Sequence, residues 1–74
     1  MELFKESGIY QIELFEEVPA INCRVYRIYQ EGDFYDCILE IDGVFELVSN
    51  YHRESWVFDQ LVKFIQESFA RVIQ

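Results

Sequence analysis

Three observations predict an α+β fold, a four-stranded antiparallel β-meander with one C-terminal amphipathic helix packed on one face (ββββα). Residues 9–18, and with exceptions 34–41, alternate apolar and polar side chains at the period of half-buried strands, and residues 21–30 between them are rich in β-branched and aromatic side chains. The punctuation is sparse and well spaced, at Gly8, Pro19, Gly32 and Gly43. From residue 56 the apolar period lengthens to that of a helix. With 74 residues the chain is expected to form a single small domain, residues 1–74. A domain this small buries only about 60% of its unfolded surface, so most large apolar side chains are needed in the core and little remains for a deep pocket.

The first strand is read over residues 9–18, where Tyr10, Ile12 and Leu14 alternate with Gln11 and Glu13. After Pro19, residues 21–30 are rich in β-branched and aromatic side chains, with Ile21, Cys23, Val25 and Tyr29 on one face. Arg27 interrupts that face and Tyr26 with Ile28 lies on the other, which calls for a bulge near Arg27 or an arginine stem that snorkels. The third strand, residues 34–41, places Tyr35, Cys37, Leu39 and Ile41 inward against Asp36 and Glu40. Asp42-Gly43 signals a hairpin. A two-residue type I′ loop there sets Leu39 opposite Glu46 and mixes the faces. The expectation is therefore a three-residue loop, Ile41-Asp42-Gly43, that aligns Tyr35, Cys37 and Leu39 with Phe45, Leu47 and Tyr51. The same logic at Glu31-Gly32-Asp33 pairs Tyr29 with Tyr35 and sets Cys23 near Ile41.

Ser55 is the expected N-cap of a helix over residues 56–73. Val57, Phe58, Leu61, Val62, Phe64, Ile65, Phe69, Val72 and Ile73 share one half of its cylinder. Trp56 falls on the polar half. It is a candidate binding anchor, or a ring folded back over Tyr51.

Fourteen acidic residues face six basic ones, a formal charge of −8 on a chain that is 51% apolar, so the acid belongs to a folded domain and not to a disordered tail. Such a charge argues against direct binding of nucleic acid or an anionic membrane, both of which need cations to neutralise phosphate. A protein partner with a basic surface fits instead. The start of the chain lacks a secretion signal, and no segment reaches the roughly 20 apolar residues of a membrane span. The expected location is cytoplasmic, or the host cytoplasm if the source is viral. Cys23 and Cys37 read as reduced thiols used as small hydrophobes.

With odd-numbered residues of strands three and four inward, the outer sheet face collects Phe34, Asp36, Ile38, Glu40 and Glu46, joined by Glu13 and Glu17 from strand one. Together with Trp56 these are the candidate partner-binding residues. Alternate strand residues stand about 6.7 Å apart, so the acids form rows and not a chelating cluster. Such a row suits a basic groove, although acids on a strand face also serve simply to block edge aggregation. His52 has no identifiable catalytic partners, neither cysteine has zinc or CxxC spacing, and the acid pairs match no calcium loop. No cofactor, metal or catalytic site is expected.

The leading expectation is a non-enzymatic acidic protein-binding module. One form of it is an inhibitor that mimics nucleic acid in the groove of a larger complex, as phage proteins of the anti-CRISPR or anti-restriction type do. The alternative is a structural or assembly protein, including a homo-oligomer, that associates through a sheet edge or through Phe15, Phe34, Ile38 and Trp56.

Overall fold

The computed structural model describes residues 4–49 and 55–69. Five strands, β1 (Phe4–Ser7), β2 (Tyr10–Val18), β3 (Cys23–Gln30), β4 (Asp33–Ile41) and β5 (Val44–Leu47), form one antiparallel sheet in the order β1-β2-β3-β4-β5. A helix, α1 (Ser55–Ser68), follows. The fold is thus the expected α+β meander with a C-terminal helix, extended by one strand at its N-terminal edge. Only Phe4 is apolar in β1, so this strand has no period of its own. It forms because Gly8, with φ of 60°, closes a two-residue turn that sets Ser7 against Tyr10 and Phe4 against Glu13.

Both later hairpins use two-residue loops whose central residues have positive φ, the signature of type I′ turns. They are Glu31-Gly32 (50° and 91°) and Asp42-Gly43 (52° and 80°). Ile41 therefore pairs with Val44 and Leu39 with Glu46, the register the sequence argument had disfavoured. Cys23 does pair with Ile41, as expected. In the first of these hairpins Gln30 pairs with Asp33 and Tyr29 with Phe34, and the register then shifts before Ile28 meets Asp36. Tyr35 is the extra residue of that bulge. It turns to the helix side, where its ring meets Tyr10 edge-on at 5.4 Å. A second bulge, between Leu14 and Glu16 of β2, leaves Phe15 as the extra residue.

These registers fix the faces, because residues directly opposite across strands point the same way. Ile12 and Leu14 of β2, Tyr26 and Ile28 of β3, and Ile38 of β4 lie beneath Val57, Leu61 and Ile65 of α1, with Phe69 just beyond it, and make the core. The inward face of β3 is thus Tyr26 and Ile28, not Cys23, Val25 and Tyr29. In β4 it is Asp36, Ile38 and Glu40, not Cys37, Leu39 and Ile41. The expected apolar side of the helix is the buried one, with Phe58 and Phe64 packed at its flanks. At about 1.5 Å per residue its fourteen residues span about 21 Å, the width of the sheet.

A polar pin holds the end of the helix down. Arg24, buried on the helix side of β3, donates Nε to Glu17 Oε2 at 2.7 Å, and Nη1 to both the Tyr26 hydroxyl and the Phe69 carbonyl oxygen. The Tyr26 hydroxyl in turn donates to Glu40 Oε1 at 2.8 Å. Burial, opposed by the bond from Arg24 and reinforced by Glu40, pushes the Tyr26 phenol up to about 12. A phenol whose folded pKa lies above its ordinary value of 10.0 contributes stability below pH 10 that is lost as pH rises through about 12. The wild type is therefore expected to lose stability between about pH 10 and about pH 12 more steeply than Tyr26→Phe, as measured by urea unfolding at several pH values. Parallel pH profiles for the two proteins would refute this assignment.

Candidate interaction surface

The sheet face opposite α1 carries no helix among the described residues, and its composition is not the one expected. Because the bulge at Phe15 and the two type I′ loops set the parity, this open face presents Val25, Arg27 and Tyr29 of β3, Phe34, Cys37, Leu39 and Ile41 of β4, Val44 and Glu46 of β5, and Phe4 of β1. Phe34 and Val44 keep 61% and 67% of their surface in water, and Phe4, Phe15 and Ile41 are also exposed. The face is apolar except along one row, where Arg27 of the central strand stands between Val25 and Tyr29, opposite Glu13 of β2 and Cys37 of β4. Tyr29 binds it together, stacking on Phe4 at 6.1 Å and meeting Phe34 edge-on at 6.0 Å. The Arg27 guanidinium carbon stands over the Phe15 ring, 3.5 Å from its centroid, a cation held against an aromatic face.

Most of the acids sit at the borders of this face, and Glu13 lies within it, between Phe4 and Arg27. Glu6, Glu13 and Glu16 lie on the β1 and β2 side, Glu31 and Asp33 at one turn, Asp42 at the other, and Glu46 on β5. Glu13 accepts a long bond from the Tyr29 hydroxyl, 3.4 Å, and Asp42 accepts one from the Asn22 side chain at 3.3 Å. Among the described residues Arg27 is the one cation on this face. Lys5 and Arg24 point to the helix side, where Lys5 Nζ stands 5.9 Å from the Phe69 ring centroid.

The residues singled out from the sequence do not form one surface. Glu13, Phe34 and Glu46 are on the open face as expected. Asp36 and Ile38 are not: they are 3% and 0% exposed, on the helix side. Ile38 is core. Asp36 ties β4 to the bend after β5, its Oδ1 accepting from the backbone of Cys37 at 2.7 Å and its Oδ2 from the Ser49 hydroxyl at 2.7 Å. Glu40 also faces the helix side, as the acceptor for Tyr26. Glu17, separated from Glu13 by the β2 bulge, has crossed to that side to pair with Arg24. The expected acidic rows Asp36 with Glu40 and Glu13 with Glu17 therefore do not exist on the outer surface.

Trp56 follows Ser55, which is the first residue of α1 and not a cap before it, and is 57% exposed, beside a recess of about 270 Å³ that it lines with Gly8, Ile9 and Gln60. It belongs to the helix layer and not to the open face. Its expected neighbour Tyr51 lies outside the described residues, as do Asn50 and His52.

Both cysteines are free. They stand far apart along the ladder, Cys23 opposite Ile41 and Cys37 opposite Arg27. Burial, with Asp36 adding to it and Arg27 opposing, pushes the Cys37 thiol up, away from the thiolate that nucleophilic chemistry needs. Among the described residues no three His, Cys, Asp or Glu side chains converge to hold a metal ion, and no helix is long and apolar enough to cross a membrane. Sequence reasoning missed Val25, Tyr29, Leu39 and Ile41 as surface residues because it placed them inside. The signal that would have exposed them is the strength of the two turn dipeptides, Glu31-Gly32 and Asp42-Gly43. No family model, curated protein or solved structure matches the chain.

Proposed function

We propose that the chain is a non-enzymatic protein-binding module whose docking surface is the helix-free face of its sheet. The observation that carries this reading is the number of apolar side chains that one sheet face leaves exposed, Phe4 and Phe34 about Tyr29 at one end and Ile41 with Val44 at the other, with half-buried Val25 and Leu39 between them. Small soluble domains seldom leave such a surface open unless something covers it. Covering it brings the reward the core already exploits, about 25 cal/mol for each Å² of apolar surface removed from water.

This reading keeps the expectation of a binding module and moves its centre from carboxylates to apolar side chains. A docking row built on Asp36, Glu40 and Glu46 is poorly supported, since Asp36 is buried and Glu40 serves the core as the acceptor for Tyr26. A groove-occupying inhibitor remains a special case of the module, with the rim acids, not a central acidic stripe, supplying its charge.

Phe34→Glu and Val44→Glu place charge among the apolar side chains at the two ends of the open face, on residues that already meet solvent. Each is expected to lower unfolding free energy by less than about 1 kcal/mol. Each should also weaken retention of the cellular partner at least about tenfold in affinity capture, the consequence of burying an unpaired charge in an apolar interface. Undiminished retention by both variants would refute the docking face.

A further inference from the structure

We infer that the occupant of the open face is a cationic amphipathic helix of a partner protein, its apolar stripe on the floor of Val25, Tyr29 and Leu39 and its lysines and arginines against the surrounding acids. The inference rests on the docking face proposed above and names the chemistry of what docks there.

Charge complementarity carries it. The apolar side chains are bordered by acids, Glu6 on the β1 edge, Glu46 on the β5 edge and Asp42 at a turn, while Glu13, one strand in, stands opposite Arg27, the one cation on that face among the described residues, and offsets its charge. A partner that buries the centre must bring its own margin against this rim. A neutral margin gains nothing there and an acidic one is repelled, whereas lysine and arginine gain attraction and faster encounter. A second copy of this chain is a poor occupant for the same reason. It carries a formal charge of −8 and presents the same acidic rim to its mate. Nucleic acid has the wrong sign.

Size points to a helix. Five strands about 4.8 Å apart make a face about 20 Å wide. The fourteen-residue α1 matches that width on the opposite side, at about 1.5 Å of rise per residue. A second helix of similar length would complete a three-layer sandwich, one of the few stable ways to cover both faces of a sheet. The floor of Val25, Tyr29 and Leu39, on two adjacent strands, offers far less than the roughly 800 Å² each partner buries in an interface of standard size. Rim contacts are therefore needed, and those are the contacts the acids supply.

The test uses two synthetic 18-residue amphipathic peptides with the same leucine stripe, one flanked by lysine and arginine and one by glutamate, titrated into the isotope-labelled full chain and followed by amide chemical shifts. The cationic peptide is expected to shift Val25, Tyr29, Leu39 and Val44 and to spare Asp59, Lys63 and Glu67 on the outer side of α1. The acidic peptide should bind at least about tenfold more weakly, and the gap should narrow as salt screens the rim. Equal binding of the two peptides, or shifts confined to α1, would overturn the cationic helix. So would binding by neither peptide, or sedimentation equilibrium that shows the open face closed by a second copy. The docking face itself fails separately, if Phe34→Glu and Val44→Glu both retain the cellular partner.

Discussion

Ile38→Ala is expected to lower the free energy of unfolding by about 3 kcal/mol, whereas Phe34→Ala, four positions earlier on the same strand, should cost less than about 1 kcal/mol. Ile38 is 0% exposed at the middle of the sheet, packed among Tyr26, Ile28 and the helix residues Leu61 and Ile65. Truncating it removes three carbons from water-free surroundings and leaves a cavity that the flanking strands, held in register by their hydrogen bonds, close only in part. Phe34 keeps 61% of its surface in solvent, and what it loses is chiefly its edge-on contact with Tyr29. Urea unfolding of the two variants beside the wild type decides the matter. If the two losses were alike, or their order reversed, β4 would be turned the other way and the open face described above would be the core.

That comparison isolates the step the sequence left ambiguous. Period two reveals which face of a strand is buried only when the other face is polar. In β3, Val25 and Tyr29 alternate with Tyr26 and Ile28, so both faces are apolar. In β4, Cys37, Leu39 and Ile41 form the longer apolar set, while the true inward face contains Asp36, Ile38 and Glu40. Periodicity by itself points to the longer set as core. The physical reason it is not lies in Arg24 and Tyr26, whose polar groups answer Glu17 and Glu40 across the strands, with the Asp36 carboxylate answering Ser49. Buried polar groups that satisfy one another are compatible with an interior that composition alone assigns to the surface.

Turn chemistry held the missing information. Two-residue loops at Glu31-Gly32 and Asp42-Gly43 match the strand twist through their positive φ values. Taken at face value they pair Ile41 with Val44 and force a bulge at Tyr35. The two-residue loop at Asp42-Gly43 looked wrong because Leu39 then faces Glu46. That pairing is unremarkable on an open face, where both side chains meet solvent or a partner. The helix was legible because its polar side is unbroken from Asp59 through Lys63 to Glu67, leaving one orientation for Val57, Leu61 and Ile65. Strand β1 was not, because Phe4-Lys5-Glu6-Ser7 acquires its extended form from pairing with β2.

Arg24→Ala should cost about 2 to 3 kcal/mol and release the C-terminal turn of α1, while Glu17→Ala should cost less than about 1 kcal/mol. Arg24 is the shared partner of three acceptors in different elements, Glu17 of β2, the Tyr26 hydroxyl of β3 and the Phe69 carbonyl just beyond α1. Its loss leaves the Phe69 carbonyl without that donor in a buried setting and opens a gap beside the Tyr26 ring, which packs on Phe69 at 5.5 Å. Glu17→Ala, by contrast, removes a side chain that is 41% exposed and leaves Arg24 still donating to the Tyr26 hydroxyl and the Phe69 carbonyl, so the loss is small. Arg24→Lys keeps the charge but not the fork of donors that reaches Glu17 and Phe69 together, and should fall between the two. Amide exchange provides the local readout. Protection at Ile65 and Phe69 should drop in Arg24→Ala by more than the global loss of stability explains, while Ile12 and Ile28 follow the global value. If Arg24→Ala were as mild as Glu17→Ala, the helix would be held by Val57, Leu61 and Ile65 alone, and the polar groups beneath it would be passengers in a core that apolar packing had already closed.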